Sequence, residues 1–414
     1  MNPPQIPLTT EVSRLPGGLR VATQHDPTAQ SVAVGAWVGV GNRDEPPELA
    51  GASHFLEHLL FKGSPGNNAR DIAEGIDAVG GDLNAFTSKE YTAFHTRVPL
   101  SALDFGLGTL VDVIAEPAFT NEEVDAERMV ILEELAWSAD TPDDVVHQNL
   151  ALGLFPNHSL GWEVLGSVDS VRSMAADDVR AFHDRWYRRS NLVFSVVGNV
   201  NHADVVERVE AGLAGVESGV PPERSAPVDA VAGDVTVARE IEQAHVTMGW
   251  RALNQFDDDR FALAVANQLI GGGWSSRLFQ EVREKRGMSY SVFSSMGSYV
   301  DSGTFSVYAG ISPGRVAELL DVVEAELADL VANGPRQREM QVARGGFEGG
   351  TLLALEDSGS RMAQIANNLL VRDRVVEVEE YLEKVRKVTD DDVCRVLTAV
   401  LDGPRVCSIV EPAS

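Results

Sequence analysis

The same run of elements is written twice along this 414-residue chain. The first half offers a strand (VAVGAWVGVG), an acidic loop (NRDEPPE), a helix (LAGASHFLEHLLF), a strand pair around NAFTSKEYTAFHTRVP and a long helix (LSALDFGLGTLVDVIAEP). The second half repeats the order with AHVTMGW, NQFDDD, RFALAVANQLIGG, SYSVFSSMGSYVDSGTFSVYAG and RVAELLDVVEAELADLV. Each half closes on a similar strand, LVFSVVGNV from Leu192 and RVCSIVEP from Arg405. Between them GVESGVPPERSAPVDAVAGD (215–234) lacks periodicity and is rich in Gly, Pro, Ser and acidic residues, the composition of a linker. A chain of this length exceeds one ordinary core. The expectation is an α+β protein of two homologous α/β sandwich domains, each a mixed sheet packed with helices, over 1–214 and 235–414.

Composition narrows the partners. With 44% hydrophobic and 23% charged residues the chain is that of a soluble globular protein. No apolar run approaches the roughly 20 residues needed to cross a bilayer. The N-terminus has neither a basic start followed by an apolar stretch nor an Arg-rich amphipathic presequence, so the cytoplasm is the expected compartment. A net charge of -28 repels nucleic acid and anionic membranes and favours neutral or basic ligands. Cys394 and Cys407 sit in apolar surroundings without a CxxC spacing and are expected to be reduced thiols.

HFLEHLLFKG, beginning at His54, carries the chemistry. On a helix, Leu49, Ala52, Leu56, Leu59 and Leu60 form one apolar stripe, and His54, Glu57, His58 and Phe61 share a neighbouring face. Histidines at i and i+4 can aim two imidazoles at one spot, as a tetrahedral zinc requires. Glu57 is badly placed to coordinate but can reach a water at the metal and take its proton. Alone, the pattern also fits two helix histidines beside a surface glutamate.

A third ligand is available in TNEEVDAERMVILEELAW. Thr120 and Glu123 make a capping box that starts a helix near Asn121. Val124, Ile131 and Leu135 form its buried stripe, with Glu127 and Glu134 on or beside it. Burying a carboxylate is costly unless it is paired or bound to a cation. Glu134 as third ligand leaves the fourth position open, the catalytic arrangement, and Glu127 would orient a ligand histidine. A solvated acidic face, together with Glu122, Glu123 and Glu133, is the competing reading.

These residues resemble the inverted-motif zinc peptidases that include pitrilysin, insulin-degrading enzyme and the mitochondrial processing peptidase, whose H-x-x-E-H pattern stands here as His54, Glu57 and His58. The distal glutamate matches Glu134, and the glutamate seven residues before it matches Glu127. NRDEPPELAGASHFLEHLLFKGS, GGDLNAFTSKEYTAFH and GGGWSSRLFQEVREKRGMSYSV extend the likeness over nearly the whole chain, closest to the short bacterial members. The resemblance implies one zinc ion per chain and hydrolysis of peptides or unfolded polypeptides. It also implies an Arg–Tyr pair seven apart, here Arg283 and Tyr290, for the substrate carbonyl and the oxyanion. Without the family, the same two residues read as a basic helix end and a strand tyrosine in a core. Substrate would lie along the strand at Asn84, Ala85 and Phe86, adding to the sheet edge through its backbone.

By analogy each chain is half of a clamshell, and a homodimer would complete its sites in trans; a heterodimer with a motif-less relative is the alternative. A non-catalytic chamber or scaffold subunit is the rival function, although such subunits typically lose motif residues that are all present here. Cobalt or manganese could replace zinc at the same ligands. GGGWSSR lacks GK[ST] and follows a helix, so it is not a phosphate loop.

Overall fold

The computed structural model describes residues 9–413. In chain order the first half contributes β1 (Thr9–Arg14), β2 (Arg20–His25), β3 (Ser31–Val38), the two-residue pair β4 (Gly63–Ser64) and β5 (Asn67–Asn68), β6 (Asp82–Thr87), β7 (Thr92–Pro99) and β8 (Leu192–Gly198). The second half contributes β9 (Gly233–Arg239), β10 (Ala244–Ala252), β11 (Ser289–Ser298), β12 (Gly303–Ile311) and β13 (Val406–Pro412). Two sheets result, of order β1-β2-β8-β3-β7-β6 and β11-β12-β10-β13-β9. Each is mixed, because β2 pairs with β8, and β9 with β13, in parallel.

The chain forms two compact units. The first comprises the chain through Leu135, Glu163–Arg224 and Leu353–Val376; the second comprises Ala136–Trp162, Ser225–Leu352 and the chain from Glu377. Each unit therefore includes a helix drawn from the opposite half of the sequence. Residues 216–232, inside the linker-like stretch, form neither helix nor strand.

The first unit shows why β3 is apolar almost without a break. Val32, Val34, Ala36 and Val38 face a core shared with the helices α1 (Ala52–Leu60) and α3 (Leu103–Ala115), α2 (Ala69–Val79) lying between these two in the chain. Ala33 and Trp37 face the other way, onto Met362, Ile365, Ala366 and Leu369 of the helix Ser358–Arg372. A strand covered on both faces has no polar side to show. Gly35 makes this packing possible: a Cβ there would lie 2.2 Å from the Trp37 ring and 2.3 Å from the Met362 sulfur.

In the second unit α5 (Pro142–Leu154), which follows α4 (Asn121–Asp140), covers one sheet face through Val146, Leu150 and Leu154. The helices Arg260–Gly271, Val316–Asn333 and Asp390–Leu401 supply the larger core on the other. Among the described residues no helix is long and apolar enough to cross a membrane, and Cys394 and Cys407 are free thiols.

Candidate metal centre

α1 begins later than the apolar stripe predicts. Leu49 ends a short 3-10 turn, and Gly51 then takes φ 94° before the helix opens at Ala52. This left-handed backbone favours glycine, and a Cβ at Gly51 would also meet the Leu165 carbonyl at 2.6 Å. The helix is capped from upstream: Glu45, itself buried, accepts hydrogen bonds from the Gly51 N–H (2.6 Å) and the Ser53 N–H (2.7 Å). Phe55, Leu56, Leu59 and Leu60 bury completely, which fixes the rotation of α1 and so the direction of its other face.

α4 starts at Asn121 behind the anticipated capping box: Glu123 accepts from the Thr120 N–H (2.7 Å) and donates its own N–H to the Thr120 hydroxyl (3.2 Å). Val124 and Ile131 are buried, with Leu135 packed beside them. Arg128 anchors the helix by donating to the Val171 and Met174 carbonyls (2.6 and 2.7 Å) while its guanidinium stacks on the Phe55 ring. Glu127 and Glu134 face α1 as a consequence.

The outcome is a small triangle of donor atoms. His54 Nε2 and His58 Nε2 lie 3.3 Å apart, and Glu134 Oε2 is 3.6 Å from each. A tetrahedral ion with bonds of about 2.0–2.2 Å keeps its ligand atoms about 3.3–3.6 Å apart, so the three atoms are spaced as one zinc would space them. Among the described residues this is the one cluster of such groups able to hold a metal ion. Tautomer and charge agree with that use. Glu127 Oε2 accepts from His58 Nδ1 (3.0 Å), leaving Nε2 with its lone pair toward the triangle. The other oxygen of Glu127 pairs with Lys62. Burial, reinforced by the neighbouring His58, pushes His54 down to about 3 and keeps its imidazole neutral.

Glu57 stands beside the triangle rather than in it. Its Oε2 accepts a hydrogen bond from the Thr87 hydroxyl at 2.7 Å. Burial raises its carboxyl above the ordinary value, an effect opposed by the bonding from Thr87 and by His58, and increased by Glu134. A carboxylate shifted this way is a better proton acceptor near neutrality.

The remaining candidates divide by location. Asn84, Ala85 and Phe86 lie on β6, the edge strand of its sheet, paired on one side to β7 through His95, Phe94 and Ala93. Ala85 faces the core beside α1, whereas Asn84 and Phe86 are exposed. Arg283 and Tyr290 belong to the second unit. Tyr290 is 81% exposed, which overturns the alternative of a strand tyrosine in a core. It is the extra residue of a β-bulge between Ser289 and Ser291, a distortion that re-aims a side chain. Arg283 lies in a π-helical turn, Phe279–Lys285. Its guanidinium sits 4.7 Å from the Phe279 ring and 4.5 Å from that of Tyr290.

Three contributors escaped the sequence reading: Glu45, Lys62 and Thr87. Lys62 was findable, since it lies one helical turn beyond His58. Glu45 caps across a turn, and Thr87 comes from another sheet strand, so neither has a local spacing to betray it.

Residues 20–167 match the family model described as Insulinase (Peptidase family M16), and residues 173–346 match the one described as Peptidase M16 inactive domain. A Streptomyces coelicolor protein named an uncharacterized zinc protease is 41% identical, over 98% of this chain and 90% of that protein. A Bacillus subtilis protein of the same description is 33% identical, over 96% of this chain and 97% of its own. The crystal structure of a Helicobacter pylori protease shares the fold with a TM-score of 0.91 at 23% identity, over 98% of this chain and 100% of that one. A Pseudomonas fluorescens structure described as a peptidase M16 inactive domain superposes with a TM-score of 0.92 at 19% identity, covering 98% of both chains.

Proposed function

Since the chain belongs to the insulinase family of peptidases, M16, we propose that it is a zinc-dependent endopeptidase of peptides or unfolded polypeptides. The observation that carries this reading is the triangle of His54 Nε2, His58 Nε2 and Glu134 Oε2 with Glu57 beside it. Relatives named zinc proteases add support. Three protein ligands leave one position open, which favours a catalytic over a structural metal and disfavours a purely scaffolding role.

Zinc at this site would supply Lewis acidity, making water nucleophilic at neutral pH and polarising the scissile carbonyl. Glu57 takes the proton of the attacking water and returns it to the leaving amine. Glu127 holds the His58 ring through Nδ1 and so fixes the tautomer. An extended substrate adds to the free edge of β6 along Asn84, Ala85 and Phe86, a mode that reads backbone more than side chains. Arg283 steadies the substrate backbone and Tyr290 donates to the developing oxyanion. Two copies form a homodimer in which each zinc-bearing unit works with the Arg–Tyr unit of the other.

The test is metal analysis of the purified protein, followed by digestion of a set of unstructured peptides with and without chelator. One zinc per chain, with cleavage that chelator stops and zinc restores, is the expected result. Cleavage indifferent to chelator, or full zinc occupancy with no cleavage of any peptide, would overturn the reading.

A further inference from the structure

Glu57 needs more than a suitable basicity: its carboxylate must stay aimed at one place while proton transfer occurs. α1 alone does not secure this, because a glutamate has three side-chain torsions and the helix fixes only its backbone. The partner that does is Thr87, whose hydroxyl donates to Glu57 Oε2 at 2.7 Å. We infer that Thr87 is the positioning residue for the catalytic base, an assignment that rests on the peptidase reading given above.

The position of Thr87 is itself unusually determined. It is the last residue of β6 and faces Thr92 of β7 across the hairpin. The turn closes at once behind it, with the Ser88 N–H donating to the Tyr91 carbonyl at 2.8 Å. That turn is fastened to the loop before α1: Asn42 N–H donates to the Ser88 carbonyl (3.3 Å) and Arg43 N–H to the Lys89 carbonyl (2.9 Å). Gly41 permits the approach, since a Cβ there would lie 2.2 Å from the Ser88 oxygen. The buried ion pair of Arg43 with Glu90 (2.6 Å) locks the two segments together. A β-branched side chain on so fixed a backbone has little freedom at χ1, so the hydroxyl is delivered in one direction.

The same residue ends the edge strand proposed to receive substrate. Leu83, Ala85 and Thr87 alternate onto the face toward α1, while Asn84 and Phe86 point away. Ordering of β6 by an added substrate strand therefore acts on the residue that holds the base, without either touching the metal ligands. Substrate strand and proton acceptor share one rigid hairpin.

The experiment compares Thr87→Val, which keeps the branched shape and loses the donor, with Thr87→Ser, which keeps the donor. For Thr87→Val we expect kcat to fall about tenfold to a hundredfold, the usual consequence of misplacing a reacting group, with KM and zinc content unchanged. Thr87→Ser is expected to recover most of the loss. A crystal structure of the metal-free Thr87→Val protein should show the Glu57 carboxylate displaced or split between rotamers, whereas the wild type shows it in one. Wild-type kcat in Thr87→Val, or an undisplaced Glu57 carboxylate in that crystal, would overturn the assignment. Failure of the wild type to cleave peptides would sink the peptidase reading instead, and the carboxylate position would still decide what Thr87 does.

Discussion

At the scale of single residues, the role of each side chain follows from what it touches. Replacing Glu57 with Gln removes the proton acceptor and leaves the ligand triangle intact, so turnover of a fluorogenic peptide should drop by about two to four orders of magnitude while zinc stays bound. Retained turnover would show that another group takes the proton. Glu127→Gln acts elsewhere: it weakens the hold on His58 Nδ1 and should lower zinc affinity by about tenfold to a hundredfold in a competition titration. Unchanged affinity would reduce Glu127 to a partner of Lys62. Helical periodicity sets His54, Glu57 and His58 on one helix face and Glu127 and Glu134 on one stripe of another, but joining the two into one site took the cost of burying carboxylates and the family resemblance as well. The residues that serve them from other elements were not legible in the sequence. Nothing in the spacing of NAFTSKEY says that Thr87 reaches Glu57, because the register of a strand against a helix is a tertiary fact. Tyr290 illustrates the converse: strand patterning suggested a core residue, and a single bulge turned it to solvent.

At the scale of elements, the helix α1 is held from two sides, and each makes a prediction. Its apolar side is buried without residue, so Leu56→Ala should cost about 2–5 kcal/mol in urea unfolding, with a matching loss of zinc retention. A cost below about 1 kcal/mol would mean that α1 is held mainly by its cap. Its N-terminus rests on Glu45, whose burial raises its carboxyl from 4.5 to about 7. The unfolded chain releases this proton near 4.5 and the folded chain keeps it to about 7, so in that window the folded state binds more protons. The stabilisation is complete below 4.5 and is lost as pH rises through about 7, on the order of 3 kcal/mol at most. Urea unfolding of the metal-free protein at pH 5 and pH 7.5 should show that decline in the wild type and a shallower one in Glu45→Gln. Parallel slopes would contradict it. The order of the central elements was readable, from the strand, helix, strand pair and long helix of each half to the start of α4 at its capping box, whereas β1, β2, β9, α2 and α5 lay outside that reading. The start of α1 was not readable, because a left-handed glycine and a cap six residues upstream interrupt a stripe that hydrophobicity alone continues to Leu49.

At the scale of the whole molecule, the duplicated plan read from the sequence returns as two sheet-and-helix units of matching design. The exchange of helices was hidden. α5 and the helix Ser358–Arg372 are amphipathic segments whose apolar sides fit either sheet as far as periodicity can tell, and their destination is set by the packing of Val146, Leu150 and Leu154 or of Met362, Ile365 and Leu369. The proposed homodimer makes a prediction at this scale. Glu57→Gln and Tyr290→Phe variants, each nearly inactive alone, should regain part of the wild-type rate when mixed and allowed to exchange subunits, because the mixed dimer rebuilds one intact site. No recovery between variants that do exchange would place both halves of the site in one chain. Where the metal sits decides whether the chain can hydrolyse peptides at all. Anomalous diffraction at the zinc edge from crystals grown with zinc tests this directly: the peak should lie about 2.0–2.2 Å from the Nε2 atoms of His54 and His58 and from a carboxylate oxygen of Glu134. A fully occupied peak elsewhere, or an empty triangle in saturating zinc, would contradict it.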